Sequence, residues 1–291
     1  MKEAIVDQEL NVSIQDTAVP VPAPGQVLIR VVVSGTNPKD WKIPRFLAKS
    51  PSNPGDDIAG YVESVGDGVV NFRKGDKVAA FHQMMTPGGS YAEYAIAWEH
   101  TTFHIPEKTS FEEAATLPLA AMTAALGLYQ ILGLPLPWKP TSAPQPLVIY
   151  GGATAVGAFA LKFAQLSNIH PLIVVAGKGR DFVETLIDRS KGDTIIDYRE
   201  GDEAVQTKIK SAAAGKPIHH AYDAVSEKGS YQNLCASLTA PARLPWFSRP
   251  RKITRYPRES ASNEPMWDRC TSHPQRGRQS KIANSGPLCF R

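Results

Sequence analysis

The run Tyr150-Gly151-Gly152-Ala153-Thr154-Ala155-Val156-Gly157 has the residue types and spacing to cradle a pyrophosphate. It lies between a wholly apolar tetrapeptide, LVIY at 147–150, and an amphipathic stretch at 156–168. A glycine-rich turn from strand into helix lets backbone N–H groups and the positive helix terminus approach phosphate oxygens. Gly152 would make the tight turn and Gly157 would allow close helix–strand packing. Thr154 stands where the usual G-x-G-x-x-G pattern has its middle glycine. It costs some closeness of approach and offers a hydroxyl as a phosphate donor. A tight connection between strand and helix would look similar in isolation. The strand before the turn and the strand–helix units after it favour a dinucleotide.

The end of the next strand discriminates between the two nicotinamide dinucleotides. A carboxylate there bonds a ribose 2′-hydroxyl, and basic residues accept a 2′-phosphate. LIVVA at 172–176 is followed by Gly177-Lys178-Gly179-Arg180, with no carboxylate until Asp181. Lys178 and Arg180 point to NADPH, the other reading being a solvated basic loop. Tyr198, just past the third strand, would flank the same phosphate.

These residues need a frame to hold them. DTIID at 193–197, the stretch 202–215 and HHAYDAV at 219–225 continue an alternation of strand and helix, which predicts a parallel, doubly wound sheet with right-handed crossovers. Before it, residues 27–33, 58–65, 77–81 and 91–97 read as short strands punctuated by Gly and Pro, a small, partly closed β-barrel over roughly the first 110 residues. Ser110 with Glu113 has the spacing of a capping box opening an Ala/Leu-rich helix that Pro118 interrupts. The expected domains are 1–121, 122–240 and a tail, 241–291.

The formal charge of +4 is unevenly spread: residues 241–291 carry nine Arg and two Lys against Glu259, Glu264 and Asp268, a balance of +8 that leaves 1–240 at −4. The body therefore gives no support to nucleic-acid binding. The tail holds seven prolines and no defensible period, and is expected to be disordered. No stretch approaches about 18 unbroken apolar residues, and the N-terminus shows no apolar signal region. Cys235, Cys270 and Cys289 form no close pair, which fits a reducing, cytoplasmic setting.

The runs PAPGQVLIRVVVSGTNPKDWKIP, PGDDIAGYVESVGDGVVNFRKGDKVAAF, GGSYAEYAIA, LPLAAMTAALGLY and YGGATAVG resemble the quinone oxidoreductase and enoyl reductase branch of the medium-chain dehydrogenase/reductase superfamily. They are most similar to its fungal trans-acting enoyl reductases, over about residues 1–240. The resemblance implies a GroES-like barrel followed by a Rossmann domain. It also implies NADPH as cofactor and reduction of an activated C=C, an enoyl thioester carried by a polyketide synthase among them, or of a quinone. Lys42 would then donate to a carbonyl or phosphopantetheine group, unless it is a surface lysine. Thr123 would lie near the nicotinamide, unless it is an ordinary helix threonine. Asn37 would hold the nicotinamide or ribose side. Asp223, Ala224 and Val225 lie where backbone groups of this family approach the nicotinamide ribose, and Asp223 equally suits a structural cap.

Zinc-dependent members carry a ligand Cys and a Gly-His-Glu motif in the barrel. Here those stretches read Ser34-Gly35-Thr36-Asn37-Pro38 and Gly55-Asp56-Asp57, and no cysteine precedes Cys235. No metal site is therefore expected. His82, His100 and His104 lack metal spacing, and Tyr91 and Tyr94 read as packing. Complete members continue past the fourth Rossmann strand with two more strands, and nothing after Ala240 matches. A frameshifted or misspliced product is the simplest expectation, with the fourth strand left as a bare sheet edge. The alternative to a reductase is a catalytically impaired chain that at most binds the dinucleotide.

Overall fold

The computed structural model describes residues 1–48 and 50–244. They belong to two compact units, Met1–Leu119 and a second that begins at Ala120.

In the first unit, β1 (Lys2–Val6) and β2 (Val12–Asp16) form an antiparallel hairpin. A five-stranded antiparallel sheet contains β3 (Gln26–Gly35), β4 (Asp57–Val65), β5 (Lys77–Phe81), β6 (Tyr94–Trp98) and β7 (Thr102–His104), in the order β6-β3-β4-β5-β7. Alternate side chains share a face of a strand. Val27, Ile29, Ile58, Val62, Val78, Ala80, Ala95 and Ala97 accordingly close around Phe72 on one side. Ala59 and Ala79 face the other side, where Ala114 and Ala115 of α2 (Phe111–Ala115) meet them. The capping box is present: Ser110 Oγ accepts from Glu113 N at 3.1 Å and the Glu113 carboxylate accepts from Ser110 N at 2.8 Å.

The β1–β2 hairpin and α1 (Lys39–Phe46) have no counterpart in the sequence reading. The prolines at 38 and 44 mask α1, which begins just after the first and contains the second. The strand expected from 91 starts at Tyr94 instead. Tyr91 and Glu93 bond the hairpin, through Ala4 N to Tyr91 O at 2.8 Å and Glu93 N to Lys2 O at 3.1 Å.

The long helix expected after Ser110 divides where Pro118 stands: α2 stops at Ala115 and α3 (Pro118–Ala125) starts on the proline, whose missing N–H is not needed in a first turn. In the second unit β8 (Leu147–Tyr150), β9 (Leu172–Ala176), β10 (Thr194–Asp197) and β11 (His220–Asp223) pair in parallel in the order β10-β9-β8-β11. Every residue of β8 and β9 is buried. Leu147, Ile149, Leu172 and Val174 pack on Ala160, Leu161 and Ala164 of α4 (Ala155–Leu166). Val148, Ile173 and Val175 pack on Val205 and Ile209 of α6 (Asp202–Ala212) and Leu234 of α7 (Ser230–Ser237). Helices on both faces of a 3-2-1-4 parallel sheet make a doubly wound domain. The second helix, α5 (Arg180–Glu184), is short and is followed by a 3₁₀ turn at Arg189–Lys191 that the Asp188 side chain caps.

Strand pairing also runs past Ala240. Arg243 bridges His220 in parallel, donating from its N to His219 O at 2.8 Å and accepting from Ala221 N at 3.2 Å. The edge of β11 that the sequence reading left bare is therefore covered at this point. The rest of the expected tail, 245–291, lies outside the described residues.

Candidate functional site

The second unit gathers most of the expected cofactor residues at the carboxyl ends of its strands, where open parallel sheets bind ligands. Gly151, at φ +86°, turns the chain out of β8, and its N–H and that of Gly152 donate to Val175 O at 2.8 and 3.2 Å. A β-carbon on Gly152 would lie 2.2 Å from Val174 Cγ1, and one on Gly157 would lie 2.2 Å from Gly151 O. Close approach requires both glycines, but the tight turn expected at Gly152 is made by Gly151 instead. The first-turn amides of Ala155 and Val156 have no partner within their own helix and lie at its positive end.

Thr154 departs from its expected role. Its hydroxyl donates to Gly151 O at 2.8 Å and accepts from Gly157 N at 3.0 Å, so its one proton is committed inside the turn as a helix cap. What it offers a phosphate is the shape of the turn.

Lys178 and Arg180 are exposed on the loop after β9, and that loop is tied to the turn: a β-carbon on Gly179 would lie 2.5 Å from Ala153 Cβ. The Tyr198 ring lies against Gly177 on the same side. Asp197, which the sequence reading passed over, ends β10 close to this basic loop. Arg199 grips it, with Nε 2.9 Å from Oδ1, and holds its carboxyl down at about 2.

Ala224 N donates to Tyr150 O at 2.9 Å, and Val225 Cγ2 would lie 2.5 Å from a β-carbon on Gly151. These two residues therefore border the turn. The Asp223 side chain acts as a cap: Oδ1 accepts from Val225 N and Ser226 N at 3.0 and 2.8 Å, and Oδ2 from Ser230 Oγ at 2.8 Å. Thr123 is held by its backbone, its carbonyl accepting from the buried Tyr222 hydroxyl at 3.0 Å. Burial pushes that phenol far above its usual range.

The first unit contains a buried polar cluster that spacing alone does not reveal. Lys39 pairs with Asp40 at 3.0 Å and with Asp56, and donates to Pro54 O. Asp40 Oδ2 accepts from Asn37 N at 2.7 Å and from the Tyr91 hydroxyl at 2.5 Å, so Tyr91 does more than pack. Asp57 accepts from Asn37 Nδ2 and from Leu119 N, both at 2.7 Å. Burial is the main cause that raises Asp57 to about 6, and it raises Asp56 against the pull of Lys39. The available signal was three acids at strand and helix starts, which an apolar barrel can hold only if they are paired. Lys42 sits one turn after Lys39 in α1, half-buried, its ammonium 5.7 Å from the Trp41 ring centroid.

His82 is buried with Nδ1 2.6 Å from Ile96 O and Nε2 3.1 Å from Thr86 O, a packing arrangement. Among the described residues no three His, Cys, Asp or Glu side chains are grouped so as to hold a metal.

The alcohol dehydrogenase GroES-like domain model matches residues 23–107. A trans-enoyl reductase of Gibberella fujikuroi is 52% identical over 238 residues, which cover 81% of this chain and 70% of the relative. The chain belongs to the medium-chain dehydrogenase/reductase superfamily. A chloroplast quinone oxidoreductase homologue of Spinacia oleracea is 32% identical over 245 residues, covering 79% of this chain and 72% of the relative. Among solved structures, an alcohol dehydrogenase superfamily protein of Novosphingobium aromaticivorans superposes with a TM-score of 0.71 at 26% identity, covering 86% of this chain and 74% of that one. By family this dehydrogenase/reductase is an oxidoreductase, and it spans 70% and 72% of the length of the two relatives above and 59% of that of a trans-enoyl reductase of Penicillium oxalicum. No helix among its described residues is long and apolar enough to cross a membrane.

Proposed function

We propose that this chain binds NADPH at the 151–157 turn and reduces an activated C=C, as in an enoyl thioester, or a quinone, without zinc. The observation that carries the reading is the convergence of the turn with Lys178, Arg180 and Tyr198 at the strand ends. The residues fit the cofactor: the glycines clear the approach, and the amides of Ala155 and Val156 suit a pyrophosphate. Two exposed cations suit a 2′-phosphate, and no carboxylate ends β9 to favour a bare ribose.

The nicotinamide, when bound, supplies the hydride. The chain's part is to place and polarise the acceptor, with Lys42 as donor to its carbonyl or carrier arm and Thr123 beside the reacting ring. Asp40 and Asp56 share the Lys39 ammonium, so the buried barrel carboxylates are paired with a cation of the chain's own. The fungal relatives are named trans-enoyl reductases, which favours an enoyl substrate; a polyketide synthase as its carrier is the proposal's own addition, and the quinone oxidoreductase relatives keep a quinone as the other acceptor class.

The test titrates the full chain with NADPH and NADH, then follows NADPH oxidation with crotonyl-type thioesters and with benzoquinone. Tighter NADPH binding and turnover of the thioester are expected. Binding without turnover of either acceptor would favour the second reading, a nucleotide-binding chain without activity. No binding at all would sink the proposal.

A further inference from the structure

Asp57 is buried at the start of β4, and both its oxygens accept from N–H groups: Oδ1 from Leu119 N and Oδ2 from Asn37 Nδ2, each at 2.7 Å. A carboxylate has no proton to donate, so the end of the Asn37 amide that faces it must be the NH2. Asp40 holds the same residue from its main chain, accepting Asn37 N at 2.7 Å. Both anchors leave Asn37 Oδ1 over, and no described residue donates to it. Asn37 is only partly buried, so this oxygen belongs to the side that solvent or a ligand reaches.

We infer that Asp57 is a positioning residue, which fixes the Asn37 amide NH2-inward so that its carbonyl oxygen meets a ligand group that donates a hydrogen bond. The inference rests on the proposed function only for the donor's identity, a carboxamide N–H or a ribose hydroxyl on the nicotinamide half of NADPH. The other groups around Asp57 are the carboxylates of Asp40 and Asp56, the Lys39 ammonium between them and the Tyr91 hydroxyl. Protonation would let Asp57 donate and free the amide to reverse.

Asp57→Asn imposes the same reversal at constant shape. Its oxygen keeps Leu119 N, its NH2 turns to Asn37, and the outward acceptor is lost. NADPH binding is expected to weaken roughly tenfold, the share of one hydrogen bond, while the adenosine bisphosphate half, which carries no nicotinamide, binds as before. The double variant N37D/D57N restores an outward acceptor and most of the affinity. An acetylpyridine analogue of the cofactor, which lacks the carboxamide N–H, separates the donors: insensitivity to Asp57→Asn assigns the carboxamide, equal sensitivity the ribose hydroxyl. Three outcomes overturn the inference: unchanged NADPH binding in the single variant, equal loss of both ligands, or a double variant no better than the single one.

The pairing can also be read without ligand or variant, in nitrogen–proton spectra of the wild-type chain. The Asn37 side-chain amide signals should move as the pH passes about 6, with Asp57. Signals that stay still overturn the pairing itself, whereas failure of the wild type to bind the adenosine bisphosphate sinks only the proposed function.

Discussion

Gly177 and Tyr198 touch so closely that a β-carbon on the glycine would lie 2.4 Å from Cε1 of the ring. The same measure at Gly157 gives 2.2 Å, but to the carbonyl oxygen of Gly151. The two contacts differ in what can yield. A half-exposed tyrosine ring can swing away, whereas a backbone carbonyl inside a tight turn cannot. Gly177→Ala should cost within about 1 kcal/mol of stability while weakening NADPH binding through the displaced ring. Gly157→Ala should cost at least about 2 kcal/mol and abolish binding. Chemical denaturation and NADPH titration of the two variants check this, and equal stability losses would contradict it.

Lys178 and Arg180 are the cations that the proposed 2′-phosphate would meet. Replacing either with alanine should weaken NADPH binding by roughly tenfold, the loss of one charge-assisted hydrogen bond, and leave NADH binding unchanged. The difference should shrink as salt is added, because both side chains are exposed. Calorimetric titration with both dinucleotides decides it, and a parallel loss for NADH would dissociate these residues from the 2′-phosphate.

Asp57 makes stability depend on pH in an unusual sense. Its carboxyl is raised to about 6 in the fold, burial being the main cause. An unfolded aspartate titrates near ~3.9. Between these values the native state holds the extra proton, so stability falls as the pH rises from about 4 to about 6, by on the order of 2 kcal/mol. Asp57→Asn cannot titrate. Its unfolding free energy relative to wild type should therefore move in the variant's favour by that amount across the window. Urea melts at both ends measure the shift, and a constant difference would show that Asp57 does not titrate there.

Asp223 is a structural cap whatever else its neighbours contact. Asp223→Ala leaves two backbone N–H groups and the Ser230 hydroxyl without their acceptor in a buried turn. The expected cost is about 3 kcal/mol in denaturant unfolding, with Asp223→Asn retaining part of it. A neutral alanine variant would remove the capping role.

The local motifs were legible because each depends on near neighbours in the chain. The turn 151–157, its flanking strand and helix, the capping box at Ser110 and the break at Pro118 all follow from spacing within a few residues. The buried runs of β8 and β9 could be read in the same way, since a strand covered on both faces is apolar throughout. The placing of Lys178 and Arg180 just after β9 needed only the position of the strand end.

What spacing could not supply was long-range partnership. The Thr154 hydroxyl, which spacing leaves free for a phosphate, is spent on Gly151 O and Gly157 N. Tyr91 read as packing because Asp40 is 51 positions away along the chain. The pairing of Asn37 with Asp57 spans 20 positions, and that of Asp57 with Leu119 spans 62. The sequence by itself settled the family, the strand–helix alternation of the second unit and the position of the glycine turn. Only the tertiary structure decided which polar groups are spent on one another, because a buried carboxylate takes its protonation and its use from whichever donors the fold brings within hydrogen-bond reach.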